Sequence, residues 1–155
     1  MANAMKSGFG QRVLLATAIA GTLDISMAAI ETARAGKPIG GMLRGLASGP
    51  FPPAIEWGLG GAVAGLLVHY AIMAVMAAVF LIARERIAIV KRHTIPAALV
   101  YGVILWLVMY GLVLQLRFGM RFPRPKPEAV AKQLFAHVVL VGLTFGLVAR
   151  SGRSA

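Results

Sequence analysis

The sequence predicts an all-α membrane protein with four transmembrane helices and a short interfacial amphipathic helix in loop one. Three observations carry that prediction. The 155-residue chain is 59% hydrophobic and 14% charged, against roughly 45–50% apolar content in soluble domains. Four apolar stretches each reach the roughly 20 residues that a helix needs to cross the hydrocarbon layer. The 16 Lys and Arg crowd into the short segments between those stretches. Such spans must be helical, because a lipid-exposed backbone has to satisfy its own hydrogen bonds. A single integral membrane domain over residues 1–155 is expected.

The first span covers about residues 12–33. Its start, MANAMKSGFGQRVLLATAIA, resembles a signal peptide, with Lys6 and Arg12 ahead of an apolar run and SMAA supplying small residues. Asp24 interrupts the apolar stretch before that site, so the segment reads as a retained span. Loop one holds IGGMLRGLA, in which Ile39, Met42, Leu43, Leu46 and Ala47 fall at i, i+3, i+4, i+7 and i+8. That stripe predicts a helix over about residues 38–48, in the interface or dipping into it, with Gly40, Gly41, Arg44 and Gly45 opposite. Three glycines make it a poor helix alone, so it needs the bundle to dock on. SGPFPPA then breaks the chain.

The second span covers about residues 57–83 and starts at Trp57, where an interfacial belt residue belongs. The third covers about residues 95–116. Its Trp106 and Tyr110, one turn apart near the middle, suit packing against another helix, or a bound lipid or isoprenoid. The fourth, about residues 130–149, is the most polar at its start, with Lys132 and Gln133.

A net charge of +11 would suggest nucleic acid in a soluble chain. Here the cations sit in loops facing anionic lipid headgroups and form no basic stripe with interleaved aromatics, so the expected partner is the bilayer and not nucleic acid. The absence of cysteine excludes disulfides, thiolate metal sites, thioether-linked haem and iron–sulfur clusters. With four spans, the termini and loop two carry Lys6, Arg12, Arg84, Arg86, Lys91, Arg92, Arg150 and Arg153. Loops one and three carry the other eight, Arg124 among them, so the positive-inside count ties. Density favours cytoplasmic termini, since RERIAIVKRH packs four cations into ten residues.

The informative residues are the polar ones inside the spans. Thr17, Gly21, Asp24, Ala28 and Glu31 share one helical face, and so do Gly58, Gly61, Gly65, His69 and Met73. Two ridges of small residues predict a close crossing of the first two spans, with Gly61–Gly65 as a GxxxG pair. Asp24 and His69 both lie near the middle of their spans. Inserting a charged Asp there costs about 2.5–3.5 kcal/mol. Keeping it protonated at pH 7, against a reference near 3.9, costs about 4 kcal/mol. Neither option clearly prevails, so a hydrogen bond from His69 is expected. The pair is either a titratable site for protons or cations, or a structural bond that sets helix register.

Glu31, His137 and Gln115 lie towards the loop-one side and could extend a polar track to that pair. Gly142 and Gly146 offer a further packing pair on the fourth span. His69 and His137 could ligate one haem, and Asp24 with both could hold zinc, but no motif spacing supports either. A bound quinone is a comparable minor alternative. No cofactor and no catalytic residue is expected, and no enzyme.

The GTxD turn (Gly21, Thr22, Asp24), the ASG before the break (Ala47, Ser48, Gly49) and GxxxHY in the second span (Gly65, His69) together resemble a family of small four-span bacterial inner-membrane proteins of largely uncharacterised function. The likeness covers the first two spans and their loop, and PFPP after ASG departs from it. It implies the four-helix architecture and lends weight to Asp24 and His69, and it implies no activity. Two functions follow as expectations. The first is an accessory or structural subunit packing in a homo-oligomer or larger membrane complex. The second is a small proton- or cation-handling transporter or channel using Asp24 and His69.

Overall fold

The computed structural model describes residues 2–122 and 126–151, with side chains from Gly8 onward. Lys6, Arg124 and Arg153 of the charge count therefore lie outside the described side chains. The described residues form helices and no strand, in the order α1 (Ala2–Arg34), α2 (Ile39–Ala47), a 3-10 turn (Pro52–Glu56), α3 (Gly58–Arg86) and α4 (Ala88–Arg92). Next come α5 (Thr94–Val108), a π-helical stretch (Met109–Val113), α6 (Leu114–Phe118), α7 (Pro127–Leu134), a second π stretch (Phe135–Leu143) and α8 (Thr144–Ser151). Four helices are long and apolar enough to cross a membrane: Gly8–Arg34, Gly58–Arg86, Thr94–Phe118 and Pro127–Ser151. This is a multi-pass membrane protein. Each span runs 25 to 29 residues, and the excess over roughly 20 is taken up by tilt or by the headgroup layer.

The first span ends where glycine allows it. Gly36 takes φ 68°, with Lys37 N–H on the Thr32 carbonyl at 3.0 Å and Gly36 N–H on Ala33 at 2.9 Å. That is a Schellman cap, and Pro38 then turns the chain into α2. This short helix packs closely on α3: a Cβ on Gly65, roughly 10 Å along α3 from its start, would collide with the Leu43 carbonyl. Gly61 likewise faces the Ala54 carbonyl and lies 3.0 Å (as a built Cβ) from Arg44 Cγ. The Gly61–Gly65 pair thus receives loop one, not the first span as the ridge pattern suggests. Arg44, expected opposite the apolar stripe, lays its aliphatic stem over Gly61. Gly58 does no packing; it is exposed and starts α3 with φ 56°. Arg117 closes the far end of the loop, donating to the carbonyls of Gly49 at 2.7 Å and Ser48 at 2.9 Å.

The fourth span is the most enclosed and touches α1 and α5 along its length. Lipid tails give no hydrophobic drive between spans, so close packing and hydrogen bonds must hold them. Gly142 would place a Cβ 2.6 Å from the Ala98 carbonyl, and Gly146 one 2.8 Å from the Ala98 side chain. Gly102 answers from α5, where a Cβ would come 2.5 Å from the His137 carbonyl. Towards the termini the core is aromatic: Phe80, Tyr101 and Phe145 meet with centroids 5.4 to 6.5 Å apart, and the Tyr101 hydroxyl donates to the Met76 carbonyl at 3.0 Å. On the terminal face Arg12 pairs with Glu85 at 2.9 Å.

These contacts set an expected outcome. Gly65→Ala should destabilise the folded protein by about 1–3 kcal/mol, read as a melting temperature several degrees lower in detergent. Gly60→Ala, with nothing within 4 Å of a built Cβ, should leave it unchanged. Equal melting temperatures would mean that α2 is not seated on α3.

Candidate functional site

The face of α1 carrying Gly21, Asp24, Ala28 and Glu31 turns inward, because their 3-4 spacing keeps them on one side of the helix. Below Gly21 this face is not packed shut. Asp24 lines two cavities. The outer one, about 510 Å3, is a cleft between the C-terminal half of α1 and the start of the fourth span, reaching Glu31, Lys37, Lys132 and Gln133. The inner one is a chamber of about 190 Å3 under α2, bounded by α1, α3 and the third span. Asp24, Ala28, Tyr110 and His137 line both. They form the wall between the cavities.

The expected hydrogen bond from His69 to Asp24 is not formed. His69 Nε2–H donates instead to the Gly21 carbonyl at 2.9 Å, one turn before Asp24. The physical reason is local. Residue 21 has no side chain, and a Cβ there would sit 2.7 Å from Tyr70, so α3 comes close enough for His69 to reach the second lone pair of that carbonyl. Asp24 receives no hydrogen bond among the described residues, although the two histidines are its electrostatic neighbours. The motif residues do meet: Thr22 and the Tyr70 hydroxyl share a 2.8 Å bond beside the Gly21–His69 contact. Thr17, predicted on the same face, is buried with its hydroxyl unpartnered among the described residues.

His137 enters the site through the second π stretch. Its Nδ1–H donates to the Gln133 carbonyl at 3.1 Å, and its ring stands edge-on to Tyr110 at 5.5 Å. Each histidine therefore has one nitrogen committed to a backbone carbonyl and keeps the other as a lone pair able to accept a proton or a cation. The first π stretch supplies Tyr110 to the same wall and Met109 to the chamber. π-helical turns recur at functional sites because the extra residue per turn re-aims side chains.

Glu31 stands at the mouth of the cleft, bonded to Lys132 at 2.6 Å and Arg34 at 3.1 Å, while Lys132 also holds Glu128 at 2.8 Å. These pairs are half-exposed and contribute little stability; they tie the end of the first span to the start of the fourth. Gln115 lines neither cavity. The π stretch just before it adds a residue to the turn and rotates it out of the track. Gln133 takes its place, accepting from Trp106 Nε1 at 3.4 Å. Trp106 and Tyr110 thus pack on the fourth span. The signal for Lys132 and Gln133 was present in the sequence as i, i+4 spacing to Ala136 and His137.

No group of three His, Cys, Asp or Glu among the described residues could hold a metal ion, so Asp24, His69 and His137 do not form a zinc site. The inner chamber has a volume of about 190 Å3, and both histidines line it.

Because the chain lacks cysteine, introduced thiols report water access cleanly. Ala28→Cys should react with a membrane-impermeant maleimide added on the loop-one face, and Ala18→Cys, on the outer surface of α1, should stay unmodified. An unreactive Ala28→Cys would mean that water does not enter the cleft.

No known protein family, curated protein or solved structure matches this chain.

Proposed function

We propose that the protein is a small proton- or cation-handling membrane protein in which Asp24 is the working carboxylate. One observation carries this reading: Asp24 lines the wall between two cavities and receives no hydrogen bond among the described residues. A structural carboxylate in mid-span would recover its insertion cost of about 2.5–3.5 kcal/mol from nearby donors. Here both imidazole N–H groups go to backbone carbonyls instead. The cleft gives the carboxylate water on one side, and the lone-pair nitrogens of two histidines border it on the other. The setting is the bacterial inner membrane with both termini cytoplasmic, which opens the cleft to the periplasmic face. No catalytic step is assigned to the site.

A second reading, an accessory subunit in a homo-oligomer or larger assembly, draws on a different surface. Ala18, Thr22 and Ser26 lie one turn apart and exposed on the outside of α1. Small residues at that spacing suit a close helix contact. The two readings are compatible, since an oligomer can carry one Asp24 site per chain.

The test is flux in liposomes holding the purified protein, with melting temperature measured beside it. Asp24→Asn should abolish proton or cation flux while leaving the melting temperature unchanged or higher, because it removes an unpaired carboxylate. His69→Ala should lower the melting temperature through loss of the Gly21 bond, by about 1–3 kcal/mol of stability. Wild-type flux in Asp24→Asn, or a melting temperature that falls with it, would make Asp24 helix glue.

A further inference from the structure

Methionine is concentrated around the cavities. The chain has 8, and the five within the spans and the loop-one helix all line one cavity or the other: Met27 the cleft, and Met42, Met73, Met76 and Met109 the chamber. The four chamber residues come from α2, α3 and the π stretch of the third span, so no single helical stripe explains their meeting. Methionine often fills gaps in apolar cores. Met73 and Met76 do pack in the apolar core, but that role leaves the polar company of the four unexplained. His69, His137 and Asp24 line the same small chamber.

The donors present select among ions. Calcium or magnesium needs six or more oxygens, or octahedral oxygen with water, and the chamber offers one carboxylate. Zinc needs thiolate, imidazole and carboxylate in tetrahedral sets; the chain has no cysteine, and no such trio occurs among the described residues. Thioether sulfur is a soft ligand that favours Cu(I), and imidazole suits copper as well. Both histidines are also held as metal-binding histidines are held, each donating one ring N–H to a backbone carbonyl and leaving the other nitrogen free to ligate. A monovalent ion on neutral ligands needs only one counter-charge, and Asp24 supplies it.

We propose that the inner chamber binds Cu(I) in a three- or four-coordinate site drawn from the thioethers of Met42, Met73, Met76 and Met109 and the imidazoles of His69 and His137, and that the ion arrives through the outer cleft past Asp24. The route rests on the reading of Asp24 as a cation-handling carboxylate; the binding site does not. Coordination changes no oxidation state, and the thioethers carry no proton to exchange.

The experiment uses the full, tag-free chain in detergent without oxygen, offered Cu(I) as its coloured bicinchoninate complex. The expected result is withdrawal of one Cu(I) per chain, with sulfur scatterers in the X-ray absorption of the product. Met73→Leu with Met76→Leu should weaken binding at least about 100-fold, since changes at a metal site cost 10–100-fold each. Leucine for methionine keeps side-chain volume, so the double variant should fold, and its melting temperature checks this. His69→Gln, which retains a donor for the Gly21 carbonyl, should also weaken binding, whereas Met120→Leu, outside both cavities, should not. No withdrawal of Cu(I), or wild-type binding by the folded double methionine variant, overturns the inference. Proton flux that depends on Asp24 without Cu(I) binding would overturn the copper site alone. Cu(I) binding without any flux would keep the site and overturn the conducting role.

Discussion

The hydrogen bond from His69 Nε2–H to the Gly21 carbonyl, 2.9 Å long, is the contact from which the rest of the site follows. It can form only because residue 21 lacks a side chain, and it fixes the depth of the second span against the first. It also occupies the His69 N–H, one of the two imidazole N–H groups that could have paired with Asp24. The carboxylate one turn further along α1 is then left to water and to whatever the cavities admit. Buried polar groups in a bilayer normally find partners within the protein. A carboxylate whose nearest histidines have committed their protons elsewhere is therefore the feature of this molecule most in need of a functional explanation.

The cavities exist because backbone approaches backbone elsewhere. Gly65 and Gly61 seat loop one deep against α3, and Arg117 ties the end of that loop to the third span. Gly102, Gly142 and Gly146 draw the third and fourth spans together. These tight contacts make a rigid frame, and the two π stretches break the regular turn where the frame would otherwise close on itself. Met109, Tyr110 and His137 reach the cavity walls from those stretches. The Glu31–Lys132 pair bridges the cleft's mouth between the first and fourth spans.

Much of this was legible in the sequence. Apolar length gave the four spans to within a few residues, and the i, i+3, i+4 stripe gave α2. The 4-3-4-3 spacing placed Gly21, Asp24, Ala28 and Glu31 on one inward face. What failed was finer. Residue types and depth paired Asp24 with His69, but a backbone carbonyl is invisible in a sequence and it took the proton. The GxxxG pattern of Gly61 and Gly65 shows that something approaches closely, not whether it is a span or a loop. Gly102 could have been found from Ala98, four residues earlier, as a small-residue pair in the third span. Gln115 was misplaced because face arithmetic assumes 3.6 residues per turn, and a π stretch ahead of it breaks that count. Met42 and Met73 were legible as members of separate apolar faces, but no periodicity links them to Met76 and Met109 across three separate segments.

A double-mutant cycle on Asp24 and His69 tests the central claim most directly, using unfolding free energies of Asp24→Asn, His69→Ala and the double variant. An Asp24 that is not hydrogen-bonded to His69 predicts a coupling below about 0.5 kcal/mol, the scatter expected of independent sites. A coupling of about 1–3 kcal/mol, as for residues in one hydrogen-bonded network, would show that the two side chains are bonded. It would contradict the account of Asp24 as a carboxylate left free for a cation.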